Sequence, residues 1–211
     1  IDYANKLAQS LSGYNQFICN IIVVDSSDNF KKINSESSII NHVYPPHKNQ
    51  PYQRHLGVKF CSSDFVLFLD DDMSLIDDSI FEDLILFFND KKVSAVNLNF
   101  ENSNNFISEI PKSKISKNKS VLEGLLSGYP ILNDNLYIYC GIKGNRKSNN
   151  YIEYFNGGSF ACRLNNLYSN FNFQLFDLYE KKLGKGEDGI TGYQVSKIGK
   201  IWAAEKKIFS S

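Results

Sequence analysis

Short apolar runs alternate with segments of helical period through the first hundred residues. The runs at residues 21–24, 65–69 and 93–100 have the length and the β-branched or aromatic content of strands. A shorter and less apolar element is predicted at residues 38–44, closed by two prolines. The intervening segments space their apolar side chains as amphipathic helices do, at residues 3–11, 50–61 and 79–89. This alternation predicts an α/β domain with a mainly parallel central sheet flanked by helices.

The pattern weakens after residue 100. Residues 101–150 are rich in loop-forming types and carry spaced lysines at positions 112, 114, 117 and 119. Such lysines form a solvated face, or meet a phosphorylated acceptor or an anionic membrane surface. Strand-like residues return at 151–162 and 201–204, and a helix is predicted to open at Glu187-Asp188.

Length and charge narrow the class of protein. The 211 residues contain no linker, so we expect one domain over residues 1–211. Lys plus Arg and Asp plus Glu both total 23, so no basic field recruits nucleic acid. No apolar stretch is long enough to span a membrane. We therefore expect the protein in the cytoplasm, either free or bound peripherally at the inner face of the membrane. The scattered cysteines fit reduced thiols better than disulfides.

Three consecutive acids, Asp70, Asp71 and Asp72, follow the third apolar run. The carboxyl ends of strands are where open α/β sheets bind ligands, and three adjacent negative charges repel unless a cation offsets them. If the backbone stays extended, Asp70 and Asp72 point to one side and offer hard oxygen ligands to Mg²⁺ or Mn²⁺. The alternative is a solvated acidic turn that caps the next helix, a role for which Asp77 and Asp78 are better placed.

Two further acidic positions complete the candidate chemistry. Asp25 ends the first strand, so it is expected at the same sheet edge as Asp70, where it would help to form a nucleotide pocket; alternatively it caps its own loop. Glu187 and Asp188 follow two glycines at the start of a helix, where acids also complement the helix dipole. A metal site with a separate carboxylate base would suit displacement at a sugar carbon.

Five motifs occur in order along the chain. They are IIVVDSS at 21–27, QRHLGV at 53–58, FVLFLDDDM at 65–73, YFNGGSFACR at 154–163, and GED at 186–188 with GKI at 199–201. Together they resemble glycosyltransferase family 2, whose nucleotide-sugar-binding fold is called GT-A. The resemblance covers most of the chain outside residues 101–150, and it implies a nucleotide-binding half (1–100) and an acceptor-binding half (101–211).

On the donor side, the resemblance implies that Asp25 contacts the nucleotide base and that Asp70 contacts the ribose or the metal shell. Asp72 would ligate Mn²⁺ or Mg²⁺, and Asp71 is grouped with the nucleotide-sugar-binding residues. Arg54 would help to line the nucleotide pocket; alternatively it is an ordinary exposed helical arginine.

On the acceptor side, the resemblance makes Asp188 the general base and Glu187 an acceptor-binding residue. Gly157 and Gly158 would flank the donor sugar or the acceptor, although they could also make a bend beside a strand. Arg163 in the same motif could instead pair with an acid of the fold.

The function implied is an inverting, metal-dependent transfer of a sugar from a nucleoside-diphosphate sugar, with a UDP-sugar favoured, to a glycan or lipid-linked acceptor in the synthesis of polysaccharide or another surface glycan. One alternative is a non-catalytic sugar-nucleotide or glycan-binding domain of the same fold. A nucleotidyltransferase would require a Gly-rich, basic phosphate loop near the N-terminus, and the sequence has no such motif there.

Some family features are expected beyond the ends of this sequence. Family members open with a strand before the first helix, and many carry a metal-binding histidine beyond the Glu-Asp motif. Here the sequence begins at that helix, and His42, His47 and His55 all come earlier than the motif. Gln194 stands where an arginine is common. We therefore expect the sequence to be truncated at both ends.

Overall fold

The computed structural model describes residues 2–28, 37–46, 48–100, 151–152, 158–170 and 187–210. The lysine-bearing segment, His47 and Gly157 lie outside these ranges. None of the helices in the described ranges is long and apolar enough to cross a membrane.

Most helices and strands lie at the predicted segments, but the short strand at Ser74–Leu75 and the helix at Leu164–Asn170 were not predicted, and the last strand extends beyond residues 201–204 to Ser210. The first half contains α1 (Asp2–Ser12), β1 (Ile21–Val24), β2 (Ile40–Val43), α2 (Gln50–Lys59), β3 (Phe65–Leu69), β4 (Ser74–Leu75), α3 (Ile80–Asn89) and β5 (Val93–Phe100). The second half contains β6 (Tyr151–Ile152), β7 (Ser159–Arg163), α4 (Leu164–Asn170), α5 (Glu187–Ser196) and β8 (Lys200–Ser210). The predicted α/β character and the helix opening at Glu187 are confirmed.

Helix α2 has a well-defined start. Asn49 is its N-cap, and its side-chain oxygen accepts a hydrogen bond from the Tyr52 backbone N–H at 3.0 Å. Pro51 occupies the first turn, where its missing N–H costs nothing. The N-cap and the proline therefore determine where α2 begins. The first turns of α2 lie beside the ends of β1 and β3.

The prediction of a mainly parallel sheet is wrong for the described strands. β1 and β2 form a separate parallel pair, and a six-stranded sheet has the order β3-β7-β5-β8-β4 with β6 paired to β8. In this larger sheet only β5–β8 is parallel. β3 and β5 do run in the same direction, as their helical crossover through α3 predicts, but β7 lies between them and runs the other way.

The β3–β7 pair is covered on both faces, as the apolar run predicted. Val66 and Phe68 face one side, where Val58 of α2 packs in the same core cluster. Leu67 and Ala161 face the other side, toward a cluster that includes residues of α1 and α3. Because side chains alternate across a strand, a single strand pair joins both halves of the core.

The described cysteines Cys19, Cys61 and Cys162 are free thiols, in agreement with the prediction. Complete burial raises the pKa of the Cys162 thiol well above its ordinary value. Partial burial, with a smaller contribution from nearby Cys19, raises the pKa of Cys61 to about 11. Both thiols therefore stay protonated at neutral pH.

Candidate functional site

Two carboxylates stand directly after strand ends, as predicted. Among the described residues the two strands, β1 and β3, belong to different sheets, so the prediction that Asp25 and Asp70 share one sheet edge is wrong. Asp25 follows β1 and Asp70 follows β3. The Asp25 backbone N–H donates to the Val43 carbonyl at 3.0 Å, and its Oδ1 accepts from the Ser27 N–H at 2.8 Å. The local turn proposed as the alternative for Asp25 is therefore present, and it holds one carboxylate oxygen in a defined orientation.

Asp70 is held by side chains of α2. Its Oδ1 accepts from Arg54 Nη2 at 2.6 Å and from Gln50 Nε2 at 3.2 Å. The Arg54 side chain is only 13% exposed, and its Cζ lies 5.8 Å from the centroid of the Phe160 ring. The alternative of an ordinary exposed arginine is therefore wrong, and the Asp70 carboxylate is held by one guanidinium and one amide.

The acidic segment after β3 turns rather than staying extended. The Met73 N–H donates to the Asp70 carbonyl at 3.3 Å, which places Asp71 and Asp72 at the exposed corner of a reverse turn. Because the backbone reverses here, the condition for aligning Asp70 with Asp72 is not met. Within the described part of the chain, no three His, Cys, Asp or Glu side chains come together as a metal site.

Gly158 comes directly before β7, and its backbone is hydrogen-bonded to Asp70. Its φ is 93°, a left-handed conformation that strongly favours glycine, and its carbonyl accepts from the Asp70 N–H at 2.9 Å. The bend proposed as the alternative for Gly158 is therefore observed. Contact of Gly158 with a sugar remains a prediction.

Glu187 and Asp188 are the first two residues of α5, at the position expected from the sequence. Helix α5 packs against α4 and β8, and its Thr191 and Val195 are buried. The structure describes the backbone of this first turn but not the side chains of the two acids, so their predicted roles carry over unchanged.

Two residues near the site, Gln50 and Gln53, were assigned no role from the sequence. The Gln53 side-chain N–H donates to the Val24 carbonyl at 3.0 Å, immediately before Asp25. The available signal was spacing: Gln50, Gln53 and Arg54 are three and four residues apart, which places them on one face of a helix. That spacing also fits an ordinary solvated face, so the sequence alone does not distinguish the two.

Comparison with known proteins gives one family and several solved structures. The family model described as "Glycosyl transferase family 2" matches residues 5–162. No match is found among curated proteins.

The crystal structure of S. aureus TarS 1-349 is similar, with a TM-score of 0.61 and 14% identity over 99% of this chain and 56% of that one. Its complex with UDP-GlcNAc gives a TM-score of 0.60 and 13% identity over 100% and 54%. A longer S. aureus TarS structure gives 0.61 and 13% over 99% and 34%. The chain thus spans about half or less of these relatives, and at this identity they establish the GT-A fold.

Proposed function

The chain belongs to glycosyltransferase family 2, and from this premise we propose that it is an inverting glycosyltransferase that moves a sugar from a nucleoside-diphosphate sugar to a hydroxyl acceptor. The observation that carries the proposal is the placement of Asp25 and Asp70 at two strand ends, with α2 in contact with both segments. The carboxyl ends of strands are where α/β folds bind ligands, and α2 brings these two ends together although β1 and β3 belong to different sheets among the described residues.

A UDP-sugar is the favoured donor, because the similar TarS structure was solved with UDP-GlcNAc. Asp25 would accept a hydrogen bond from the base and Asp70 would contact the ribose. Arg54, oriented by Asp70 and Phe160, would lie next to the nucleotide, and Asp71 would contribute to the same pocket.

Asp72 is the proposed first ligand for Mn²⁺ or Mg²⁺, since carboxylate oxygens suit these hard cations. Asp70 is the weaker of the two predicted ligands, because its Oδ1 already accepts from Arg54 and Gln50. A bound cation would offset negative charge on the departing nucleoside diphosphate.

Asp188 is the proposed general base. It would take the proton of the acceptor hydroxyl as that oxygen attacks the anomeric carbon, which inverts the configuration there. Glu187, Gly157 and Gly158 would contact the acceptor or the donor sugar. A glycan or lipid-linked acceptor, in surface polysaccharide synthesis, completes the proposal.

The test combines binding and turnover. Wild-type protein is incubated with UDP, GDP, dTDP and CMP and their common sugar conjugates, with and without Mn²⁺, and melting temperatures are compared. Transfer is then measured for the sugar conjugate that stabilises most. Asp188→Asn should lower kcat by about 10²- to 10⁴-fold and leave donor binding intact.

Asp78→Asn is the matched control, because Asp78 is an exposed acid placed just before α3. It should leave kcat unchanged. Donor binding without transfer in the wild-type protein would favour the non-catalytic sugar-nucleotide-binding domain instead.

A further inference from the structure

One face of α2 contacts the segments that carry both strand-end carboxylates. Gln53 donates to the Val24 carbonyl at 3.0 Å, one residue before Asp25. Gln50, one helical turn before Gln53, and Arg54, the residue after it, both donate to Asp70 Oδ1. A single rigid helix thereby joins the two positions proposed to contact the nucleoside.

The body of the helix is closely packed on both strands. Val58 is 1% exposed and shares a core cluster with Val66 and Phe68 of β3. On the β1 side, a Cβ added at Gly57 would lie 3.2 Å from Val24 Cγ2, so the helix backbone approaches this strand about as closely as it can. Close packing therefore fixes the position of the α2 backbone, from which its polar side chains reach Val24 and Asp70.

The geometry of β1 explains why its last carbonyl needs a side-chain donor. The Asp25 N–H bonds to Val43 of β2, and successive residues of a strand direct their backbone groups to opposite edges. The Val24 carbonyl therefore faces away from β2, and Gln53 donates to it there. Among the described residues, β1 and β3 belong to different sheets, so no shared ladder sets the distance between their ends.

We propose that Gln53 is a positioning residue for nucleobase recognition: by holding the Val24 carbonyl, it keeps Asp25 at the place where its carboxylate accepts a hydrogen bond from the base. This inference rests on the proposed function. Uracil presents an N3–H donor, whereas cytosine presents an acceptor at the same ring position. A displaced Asp25 should therefore weaken binding of UDP more than binding of CDP.

The experiment measures the Kd of UDP and of CDP by titration calorimetry in MnCl₂. Gln53→Met keeps the side-chain length but has no donor, and it should weaken UDP binding about three- to tenfold, the range for one neutral hydrogen bond. Gln53→Lys keeps a donor and should bind UDP nearly as the wild-type protein does. Lys59→Met, at the exposed last residue of α2, is the matched control and should change neither Kd.

Three outcomes would overturn the inference. One is wild-type UDP affinity in Gln53→Met, and another is an equal loss for UDP and CDP, which would indicate a purely structural role. If Gln53→Met does not fold, Gln53→Glu takes its place, because an ionised carboxylate also cannot donate. The third outcome is that the wild-type protein binds no nucleotide, which would overturn the proposed function as well. If the wild-type protein binds UDP and only the variants give an unexpected Kd, the inference alone is overturned.

Discussion

Two arginines lie at opposite ends of the β3–β7 strand pair, and they have different partners. Arg54 lies at the carboxyl end of β3, where it donates to the carboxylate of Asp70 and lies over the Phe160 ring. Arg163 is paired in register with Phe65 at the start of β3, and all its described hydrogen bonds go to backbone carbonyls. The end proposed to bind the nucleotide thus uses arginine to hold a carboxylate, and the other end uses arginine to bind backbone carbonyls of the fold.

The Arg163 end closes the last turn of α3. Its guanidinium donates to the carbonyls of Phe88, Asp90 and Val93 and lies 5.4 Å from the ring centroid of Phe65. Helix C-terminal carbonyls have no partner within the helix, so a cation there is favourable. The suggestion that Arg163 pairs with an acid is therefore wrong for the described residues.

The largest expected effect is at this end. Arg163→Met should lower the free energy of unfolding by about 2–4 kcal/mol, because hydrogen bonds to a charged group and a cation–π contact are lost together. Urea denaturation measures this loss. UDP affinity of the folded variant should equal that of the wild-type protein, and a loss of UDP affinity would contradict the division between the two ends.

Gly199 tests close packing at the same end. A Cβ there would overlap Ser94 Oγ and lie 2.7 Å from the Lys92 carbonyl oxygen. Gly199→Ala should therefore lower the free energy of unfolding by about 1–3 kcal/mol through overpacking. Gly13→Ala is the control, because the nearest atom to its added Cβ would be 3.7 Å away. Equal stability of the two variants would show that this end relaxes easily.

Arg54→Met should show the opposite profile to Arg163→Met. UDP affinity should fall about tenfold, equivalent to about 1.4 kcal/mol. The free energy of unfolding should fall by about 1–2 kcal/mol, less than for Arg163→Met, because Asp70 is partly exposed and keeps its hydrogen bond from Gln50. Arg54→Lys keeps the charge but loses the planar fork, so it should recover only part of the affinity. Calorimetric titration and urea denaturation separate the two effects. A large stability loss with normal UDP binding would make Arg54 a structural residue like Arg163.

The smallest expected effect concerns the thiols. Cys61 and Cys162 have raised pKa values in the folded state, so the folded chain binds more protons than the unfolded chain as pH rises from the ordinary thiol value of 9.0 to about 11. Stability should therefore be fully retained below pH 9 and decrease above it.

Exposed Cys19 should react with iodoacetamide before Cys162. Faster reaction of Cys162 would show that the middle of β7 opens readily.

The sequence by itself determined the local elements and the placement of the acids. The spacing of apolar residues distinguishes strands from helices, because each element buries one side chain in two or about one in three to four. The end of an apolar run marks the end of a strand. The positions of Asp25 and Asp70 and the start of the helix at Glu187 were therefore predictable. Asn49 and Pro51 likewise mark the start of α2 in the sequence.

Only the tertiary structure decided the contacts between distant segments. Nothing local to β7 indicates that it lies between β3 and β5, because its strand pattern is compatible with many neighbours. The same limit applies to Gln53, whose amide suits solvent as well as the Val24 carbonyl, and to the different partners of Arg54 and Arg163. Hydrogen bonds between elements depend on how the core packs, and that packing is a property of the whole chain.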